Sequence, residues 1–382
     1  MSGRTYLGWF LAVVAAAVLA IIAFNALSDR YILGHPAGPS VQTVSGFERV
    51  LKPAWIDTLK PEMVFAGSSR MREGFDPAII DPALGVHSFN YGLSSITAYE
   101  ARRLLQDSLA QPTVKTIFMS MDAFGGGSAA QPVGSGFDET RLAVTADGAP
   151  TPRRALWLAT TRYLSGGAFG MHALSDYLLA QLKPGQPAAE RPDLFNAYSR
   201  MTSAGLRKDL TFRFNRTMTL TPWQRGEFDA ALAALCPCDV KAVFFFPPDH
   251  FAMIERYMAN DTAGLLAFKR TALADVQRHN AQCRSKVALF DFLTLNAITG
   301  ESIGPDGSTA HLDLIHFRPP VGLRLLHTML GKGEPLGVDL AMAPDADARI
   351  EHLRADVAAW RAAHASPAAA SPAKVSGSHS ED

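Results

Sequence analysis

Five short apolar runs, separated by stretches of helical periodicity, constrain the fold of this chain more than any other feature. The runs cover residues 63–66, 86–89, 114–121, 240–246 and 287–292. Runs of this length, bounded by polar and turn-forming residues, are typical of fully buried strands. Alternation of strand and helix predicts a mainly parallel sheet of about five strands with helices on both faces, a three-layer α/β domain.

Polar or small residues follow each run at the point where the predicted strand ends. In chain order they are Ser69, Asn90, Gly92, Asp122, Asp249 and His250, and Asp291 lies within the end of the fifth run. The carboxyl ends of parallel strands meet at one edge of a sheet, and ligands bind outside that edge, so we expect these residues to lie close together. Asp291 is expected to fix a loop, and His311, further along the chain, is expected to be solvated.

A nucleophile, a base and an orienting carboxylate can be assigned within this region. A Gly-Ser-Ser-Arg motif at residues 67–70 follows the first run, and an Asp-Leu-Ile-His motif at residues 313–316 follows the last. A serine hydroxyl attacks an acyl carbon when a base removes its proton and a carboxylate orients that base. The pattern therefore predicts that Ser69, His316 and Asp313 form the triad of a serine hydrolase or acyltransferase. Water as the acyl acceptor would give an esterase, and a sugar hydroxyl would give an O-acyltransferase.

Each part of this assignment has an alternative. A serine in such a motif often caps a helix, and Asp313 and His316 can form a local hydrogen-bonded pair without chemistry. His250 is a second candidate base, although a role at the rim of the site or in substrate contact is the favoured interpretation. Arg70 can pair with a structural carboxylate or meet an anionic group of a substrate.

The order and spacing of these motifs resemble the SGNH (GDSL-type) hydrolase superfamily over residues 60–125 and 238–332. The resemblance implies a flavodoxin-like sheet with Ser69 as nucleophile, because its motif stands where that superfamily has Gly-Asp-Ser. Gly92 matches the glycine of the second block, which implies that the backbone N–H groups of Gly92 and Ser69 form the oxyanion hole. The motif at residues 313–316 matches the closing block, which supplies the base and its carboxylate.

A closer resemblance lies with extracytoplasmic SGNH-like proteins of cell-envelope polymers, such as the acylating proteins of alginate and of teichoic-acid D-alanylation. It rests on the serine-serine motif followed by arginine, an N-terminal membrane anchor, and a closing His-Phe-Arg-Pro that contains Arg318. This resemblance implies an acylated glycan or another acyl ester as substrate, a membrane protein as possible acyl donor, and Arg318 as a supporting residue.

The third block departs from the superfamily pattern. Its usual Gly-x-Asn-Asp supplies an Asn side chain that donates to the oxyanion, whereas Asp122 stands at the equivalent place here. An ionised carboxylate accepts hydrogen bonds but cannot donate them. A loss of about 10²–10³ in rate is expected from a missing donor, unless Arg70 or Asn90 replaces it.

The stretch that begins at Leu7 and ends at Leu27 is almost unbroken in its hydrophobicity. As a helix it would be roughly 30 Å long, the thickness of the hydrocarbon core of a bilayer. Arg4 precedes it and no net charge follows it closely, which favours a cytoplasmic N-terminus. We expect a single-pass anchor in a bacterial inner membrane with the globular domain in the periplasm. A cleaved signal peptide, cut near residues 26–28, and a buried core helix are the alternatives.

The remaining chain divides by composition and periodicity. The predicted units are an anchor (1–30), a juxtamembrane segment with one helix near 47–59 (31–60), an SGNH-like domain (61–332), a helical extension that packs on its own domain (333–364) and a disordered tail (365–382). An insertion at 125–238 is too long for an ordinary crossover. A helical stretch at 152–182 could cap the site, and Tyr198, Arg200, Arg213 and Trp223 are suited to sugar or acyl recognition. A packing subdomain without substrate contact is the alternative.

Three cysteines are too few for a disulfide framework, and no histidine cluster has the spacing of a zinc site, so we expect no structural metal. Cys238 and Cys283 precede the fourth and fifth runs by nearly the same distance. Matching positions on neighbouring parallel strands lie about 5 Å apart, within disulfide reach. We predict a Cys238–Cys283 disulfide, with Cys236 as the alternative partner, and such a bond would indicate an oxidising compartment.

The charges of the chain balance, because Lys plus Arg and Asp plus Glu each total 36. No net field draws it to nucleic acid, so we expect no nucleic-acid partner, and the triad requires no cofactor. The sequence therefore predicts an extracytoplasmic serine acyl-ester enzyme acting on a cell-envelope polysaccharide. A small-molecule or lipid esterase is one alternative, and a non-catalytic carbohydrate-binding or scaffold protein is another.

Overall fold

A six-stranded, mostly parallel sheet organises the domain. The computed structural model describes residues 3–27, 48–125, 133–134, 136–156, 208, 211, 215–303 and 307–364. The strands are β1 (Met63–Gly67), β2 (Ser88–Gly92), β3 (Thr116–Ser120), β4 (Lys241–Phe246), β5 (Val287–Asp291) and β6 (Val338–Asp339). They lie in the order β2-β1-β3-β4-β5-β6, in which β1 to β5 are parallel and β6 is antiparallel to β5. The predicted α/β class with a mainly parallel sheet is confirmed.

Helices cover both faces of this sheet. The described α-helices are α1 (Gly3–Leu27), α2 (Glu48–Leu59), α3 (Ser69–Gly74), α4 (Pro77–Leu84), α5 (Ala98–Leu109), α6 (Asp122–Gly125), α7 (Pro222–Leu235), α8 (Phe251–Gln282), α9 (Pro319–Met329) and α10 (Ala346–His364). On one face, α3, α4 and α9 pack over Phe65, Phe118 and Phe245. On the other, α2, α5, α7, α8 and α10 enclose Val64 and Phe244. Side chains alternate between the faces along a strand, which places Val64 and Phe65 in different layers.

All five predicted runs form strands, and their carboxyl ends are aligned. Gly67 of β1 lies opposite Gly92 of β2, and Phe246 of β4 lies opposite Asp291 of β5. This register brings the residues that follow the strands to one edge. The structure adds β6, which the sequence analysis did not predict, because a strand of two residues is too short to produce a periodic pattern.

The N-terminal helix α1 is a candidate membrane span. Its segment Gly3–Ala23 has a mean hydropathy of 2.4, and none of it is buried in the protein. A core helix would be buried, so this observation argues against that alternative. A signal sequence meets the same criterion of length and hydrophobicity, so the helix shows a candidate span and not an orientation.

The helices that flank the sheet domain in the sequence pack onto it. In α2, Trp55 and Ile56 are buried in the same core as Ile350, Leu353 and Val357 of α10. Packing of the C-terminal extension on its own domain is therefore as expected. The tail at 365–382 lies outside the described residues.

The predicted insertion is described in part. α7 lies within it and packs against α5, so this portion acts as the crossover helix between β3 and β4. Trp223, at the start of α7, packs partly buried against the core. The segment at 136–156 is also held on α5, where Asp107 accepts a hydrogen bond from the N–H of Ala143 at 2.5 Å. The part of the predicted helix beyond residue 156 lies outside the described residues, and so do Tyr198, Arg200 and Arg213.

The disulfide joins Cys236 to Cys283, so the predicted Cys238–Cys283 bond is wrong and the alternative partner is the correct one. The prediction extended the register of β4 and β5 to residues before β4 begins. The chain bends there, because the backbone N–H of Cys238 donates to the carbonyl of Leu235 and its thiol lies 3.3 Å from the carbonyl of Ala234. Cys236, at the end of α7, consequently reaches Cys283, and Cys238 is a free thiol.

Candidate active site

The predicted nucleophile lies in a tight turn between β1 and α3. Gly67 has a φ of 139°, and a Cβ atom at this position would overlap with Ser120 Oγ, so the turn requires glycine. Ser68 then caps α3, because its Oγ accepts a hydrogen bond from the N–H of Arg70 at 3.1 Å. Ser69 becomes the first residue of α3. The capping role therefore belongs to Ser68, which leaves the hydroxyl of Ser69 for another contact.

Ser69, His316 and Asp313 form a continuous hydrogen-bonded chain. His316 Nε2 lies 2.8 Å from Ser69 Oγ, and His316 Nδ1 lies 2.7 Å from Asp313 Oδ2. When Nδ1–H donates to the carboxylate, Nε2 is free to accept the proton of the serine hydroxyl. The side chains of His316 and Asp313 are 18% and 31% exposed, so a substrate can reach this chain from solvent. The structure thus brings together the three residues assigned from the sequence.

A compact turn presents the base and its carboxylate. Asp313 Oδ1 accepts hydrogen bonds from the backbone N–H groups of Ile315 and His316, each at 2.8 Å. The N–H of His250 donates to the carbonyl of Leu314 at 2.9 Å, which ties this turn to the residues after β4. The carboxylate is therefore fixed by the loop on one oxygen and orients the imidazole with the other.

Asn90 holds the segment at Gly92 against α3. Its Nδ2 donates to the carbonyl oxygens of Met71 in α3 at 2.8 Å and of Phe75, the C-terminal cap of α3, at 2.6 Å. Its Oδ1 accepts the N–H of Gly92 at 2.9 Å. Asn90 is thus committed to the scaffold and is not a spare donor. The oxyanion role of Gly92 stays a prediction, and it requires this N–H to be shared with Asn90 or released from it.

A buried lysine from α2 holds the same segment. Lys52 Nζ donates to the carbonyl of Gly92 at 2.6 Å and lies 3.4 Å from Asn90 Oδ1. Burial lowers the pKa of Lys52 to about 7, against the attraction of Glu48. Glu48 also pairs with Arg72 of α3 at 2.6 Å. Lys52 was not predicted from the sequence, where its spacing of four residues from Glu48 along one helix face was the available signal.

Arg70 lies in a buried cluster with Asp122, Asp249 and Tyr257, called the Arg70 cluster below. Its guanidinium contacts Asp249 through Nε and Nη2, each at 2.6 Å, and Asp122 through Nη1 at 2.5 Å. Tyr257 donates its hydroxyl proton to Asp249 Oδ2 at 2.7 Å. Burial opposes the charge of Arg70, but the two carboxylates outweigh it and raise the pKa of Arg70 well above its ordinary value. Of the two sequence alternatives for Arg70, the structure shows pairing with carboxylates.

Asp122 occupies the third-block position as an acceptor. Burial raises its pKa, but the charge of Arg70 and the hydrogen bonds from Ser68, Ser120 and Arg70 together outweigh this effect and lower the pKa of Asp122 below its ordinary value. Asp122 is therefore ionised and cannot donate to an oxyanion. Of the two predicted replacements, Asn90 is committed to backbone carbonyls, and every guanidinium nitrogen of Arg70 already contacts Asp122, Asp249 or Tyr257.

His250 caps a helix and does not line the rim of the site. It is 2% exposed, its Nδ1 accepts the N–H of Ala252 at 3.2 Å at the start of α8, and its Nε2 donates to the carbonyl of Glu301 at 3.0 Å. Burial, with a smaller contribution from His311, lowers its pKa to about 4. His311 is itself fully buried, so the expectation of a solvated side chain is wrong, and its Nε2 donates to the carbonyl of Pro248 at 3.1 Å.

Arg318 and Asp291 lie at the ends of secondary-structure elements. Arg318, two residues after His316, precedes α9, and its backbone N–H donates to the carbonyl of Ala310 at 2.8 Å. Asp291 fixes the segment after β5, because its Oδ1 accepts the N–H of Leu293 at 3.0 Å and its carboxylate pairs with Lys269. Within the described ranges, no group of three or more His, Cys, Asp or Glu side chains could hold a metal ion.

Comparison with models of known protein families gives no match. Comparison with curated proteins gives no match either. Support for the candidate site therefore comes from its geometry and from the resemblance of its motifs to the SGNH superfamily, and membership of that superfamily stays a prediction.

Proposed function

We propose that this protein is an SGNH-like serine enzyme that hydrolyses or transfers acyl groups held in ester linkage. The observation that carries the proposal is the hydrogen-bonded chain from Ser69 Oγ through His316 to Asp313. These residues come from distant parts of the chain and meet at the carboxyl edge of a parallel sheet, where α/β proteins bind ligands. A serine that only caps a helix, or a local Asp-His pair, would not require this contact.

In the proposed reaction, Ser69 Oγ attacks the acyl carbon of the ester while His316 Nε2 takes the hydroxyl proton. Asp313 holds the ring and stabilises the imidazolium. As the tetrahedral intermediate collapses, His316 returns the proton to the departing alcohol oxygen, and an acyl-enzyme remains on Ser69. Water or a sugar hydroxyl, deprotonated by His316, then attacks the acyl carbon, and His316 returns that proton to Ser69 Oγ as the acyl–serine bond breaks.

The proposed oxyanion hole has two backbone donors. The N–H of Ser69 is the first, because the first N–H groups of an α-helix have no acceptor within the helix. The N–H of Gly92 is the second, once it is released from Asn90 Oδ1. Without a donor at Asp122, we expect a rate about 10²–10³ lower than that of a site with a third donor.

We propose that the enzyme works at the periplasmic face of a bacterial inner membrane. α1 supplies the candidate anchor, and the Cys236–Cys283 disulfide favours an oxidising compartment. The resemblance to envelope-acylating proteins supports an acylated cell-envelope polysaccharide as substrate and a membrane protein as acyl donor.

Reaction with a fluorophosphonate probe, followed by peptide mapping, tests the proposal. We expect the label on Ser69, its loss in Ser69→Ala, and its retention at a lower rate in Ser68→Ala, which keeps the Ser69 hydroxyl but removes the cap of α3 and a contact with Asp122. Absence of labelling in folded wild-type protein would contradict the proposed function. Turnover of short acyl esters without any dependence on a glycan acceptor would instead support a small-molecule or lipid esterase.

A non-catalytic carbohydrate-binding or scaffold protein is the second candidate function. Two observations favour it: Asp122 cannot donate, and the Gly92 N–H is engaged by Asn90. This alternative predicts a folded protein that binds a glycan and does not react with the probe.

A further inference from the structure

We propose that Arg70 is a positioning residue that keeps Ser69 in line with His316 by clamping the first turn of α3 to the ends of β3 and β4. The inference rests on the proposed function, because it concerns the same acyl-transfer site. Arg70 would act through the backbone that it shares with Ser69, not by contact with the substrate.

The clamp uses every nitrogen of the guanidinium. Nε and Nη2 contact the two oxygens of Asp249, Nη1 contacts Asp122, and Nη2 also lies 3.2 Å from the hydroxyl of Tyr257. Asp122 follows β3 and Asp249 follows β4, so Arg70 bridges the ends of two neighbouring strands. The Arg70 side chain is 3% exposed, and both carboxylates are more deeply buried still.

This arrangement fixes the rotation of the turn that carries the nucleophile. Successive side chains of an α-helix point about 100° apart, so an inward-facing Arg70 sets the direction of the preceding Ser69. On the other side of Ser69, the Oγ of Ser68 accepts the N–H of Arg70, which closes the turn. A displacement of about 1 Å in a reacting group can cost about 10² in rate, so a small rotation of this turn would be measurable.

A guanidinium is needed because the contacts form a planar fork. A lysine ammonium carries the same charge but can occupy only one point between the two carboxylates. Arg70→Lys therefore separates the geometry of the clamp from its charge. Arg225 provides a matched control, because it makes the same two-oxygen contact with Asp275, at 3.0 and 2.8 Å, between α7 and α8.

The test compares Arg70→Lys with Arg225→Lys by the second-order rate of fluorophosphonate labelling, expressed per folded molecule. We expect a loss of about 10–100-fold in Arg70→Lys and no change in Arg225→Lys. The same substitution is then made in a His316→Ala background. Because the clamp serves attack assisted by His316, Arg70→Lys should cause little further loss there, whereas a general structural role would cause the same loss in both backgrounds.

Tyr257→Phe is the second variant, for use where Arg70→Lys does not fold. It removes one hydroxyl from the cluster and keeps the buried ring, and we expect a several-fold loss that again disappears without His316. A wild-type rate in a folded variant of Arg70 or Tyr257 would overturn the inference, as would an undiminished loss in the His316→Ala background. Labelled wild type with unaffected variants rejects the clamp alone, whereas unlabelled wild type rejects the proposed function as well.

Discussion

Two buried ion pairs lie at the carboxyl edge of the sheet and invite comparison. One is the Arg70 cluster, and the other joins Lys269 of α8 to Asp291 at the end of β5, with Nζ 2.8 Å from Oδ2. Both are almost fully removed from solvent, with Arg70 3% exposed and Lys269 0%. Both fix the segment that follows a strand, since Lys269 Nζ also donates to the carbonyl of Leu293 at 2.8 Å.

The two sites differ in what lies next to the buried charge. Arg70 directly follows Ser69, whose hydroxyl contacts His316. Asp291 lines a cleft of about 800 Å³ between the segment after β5 and α10. Both buried ion pairs therefore stabilise a segment that follows a strand, and the Arg70 cluster differs in that it adjoins the predicted nucleophile, Ser69.

The largest expected effect distinguishes the two ends of the sheet edge by the rate at which a fluorophosphonate labels Ser69. His316→Ala should lower the rate at which a fluorophosphonate labels Ser69 by about 10³-fold or more, because the hydroxyl loses its base. Lys269→Met should leave the rate per folded molecule unchanged, since its ion pair supports no reacting group. Time courses followed by intact-protein mass spectrometry measure both rates. Equal losses in the two variants would remove the distinction between the sites.

The next effect concerns the energy of the pair at β5. Lys269→Met should lower the free energy of unfolding by about 3–5 kcal/mol, because it leaves the carboxylate of Asp291 buried and unpaired. Adding Asp291→Asn should restore most of this loss, since the neutral amide keeps an oxygen for the N–H of Leu293. Urea unfolding followed by circular dichroism measures both variants. A double variant no more stable than the single one would mean that the charge itself is not the cause.

The next prediction concerns the disulfide at the opposite end of β4 and β5, which we expect to affect stability and not the labelling of Ser69. Cys283→Ser should lower the free energy of unfolding by about 2–4 kcal/mol, because the bond closes a long loop in the unfolded chain. Cys238→Ser, the matched control, should change it by no more than about 1 kcal/mol. Thermal and urea unfolding give these values. Neither substitution should alter the labelling rate of folded protein, and a large change in that rate would link this end of the sheet to the site.

The smallest expected effect is a pH dependence of the free energy of unfolding that comes from His250, the residue after Asp249 of the Arg70 cluster. The folded pKa of His250, lowered to about 4 by burial, lies below its unfolded value, so the unfolded state binds the proton first. Stability is therefore complete above about pH 6.5 and is lost as the pH falls toward 4. Between pH 7 and pH 5, wild type should lose about 2 kcal/mol more than His250→Asn, which keeps a capping oxygen. Urea unfolding at both pH values measures this difference. An equal loss of stability in the two proteins would contradict the prediction.

The sequence predicted the parts of the molecule that depend on local patterns. A strand buried on both faces must be apolar along its length, so β1 to β5 could be located from the apolar runs in the sequence. The polar residues after those strands then identified Ser69, Asp313 and His316, because parallel strands direct their carboxyl ends to one edge.

The buried charges could not be predicted in the same way. Lys52, Lys269 and His311 are buried, although isolated charged or polar residues in a sequence are ordinarily solvated. Their burial depends on partners brought together by the tertiary fold, and Arg70 and Asp249, for example, are 179 positions apart. The disulfide partner was predicted wrongly for a related reason. The chain bends before Lys241, so the register of β4 and β5 does not extend back to Cys238.

The attachment of α2 to the wall of the site has a consequence for how substrate is encountered. Lys52 and Trp55 fasten this helix to the domain, so residues 28–47 alone connect it to α1. Fully extended, that connection spans roughly 70 Å. Under the proposed function, and with α1 retained in the bilayer, Ser69 stays within reach of this connection from the membrane surface, so we expect its turnover to follow the surface density of acyl groups and not their bulk concentration. Vesicle-bound substrate is then a better mimic of its working conditions than a soluble ester.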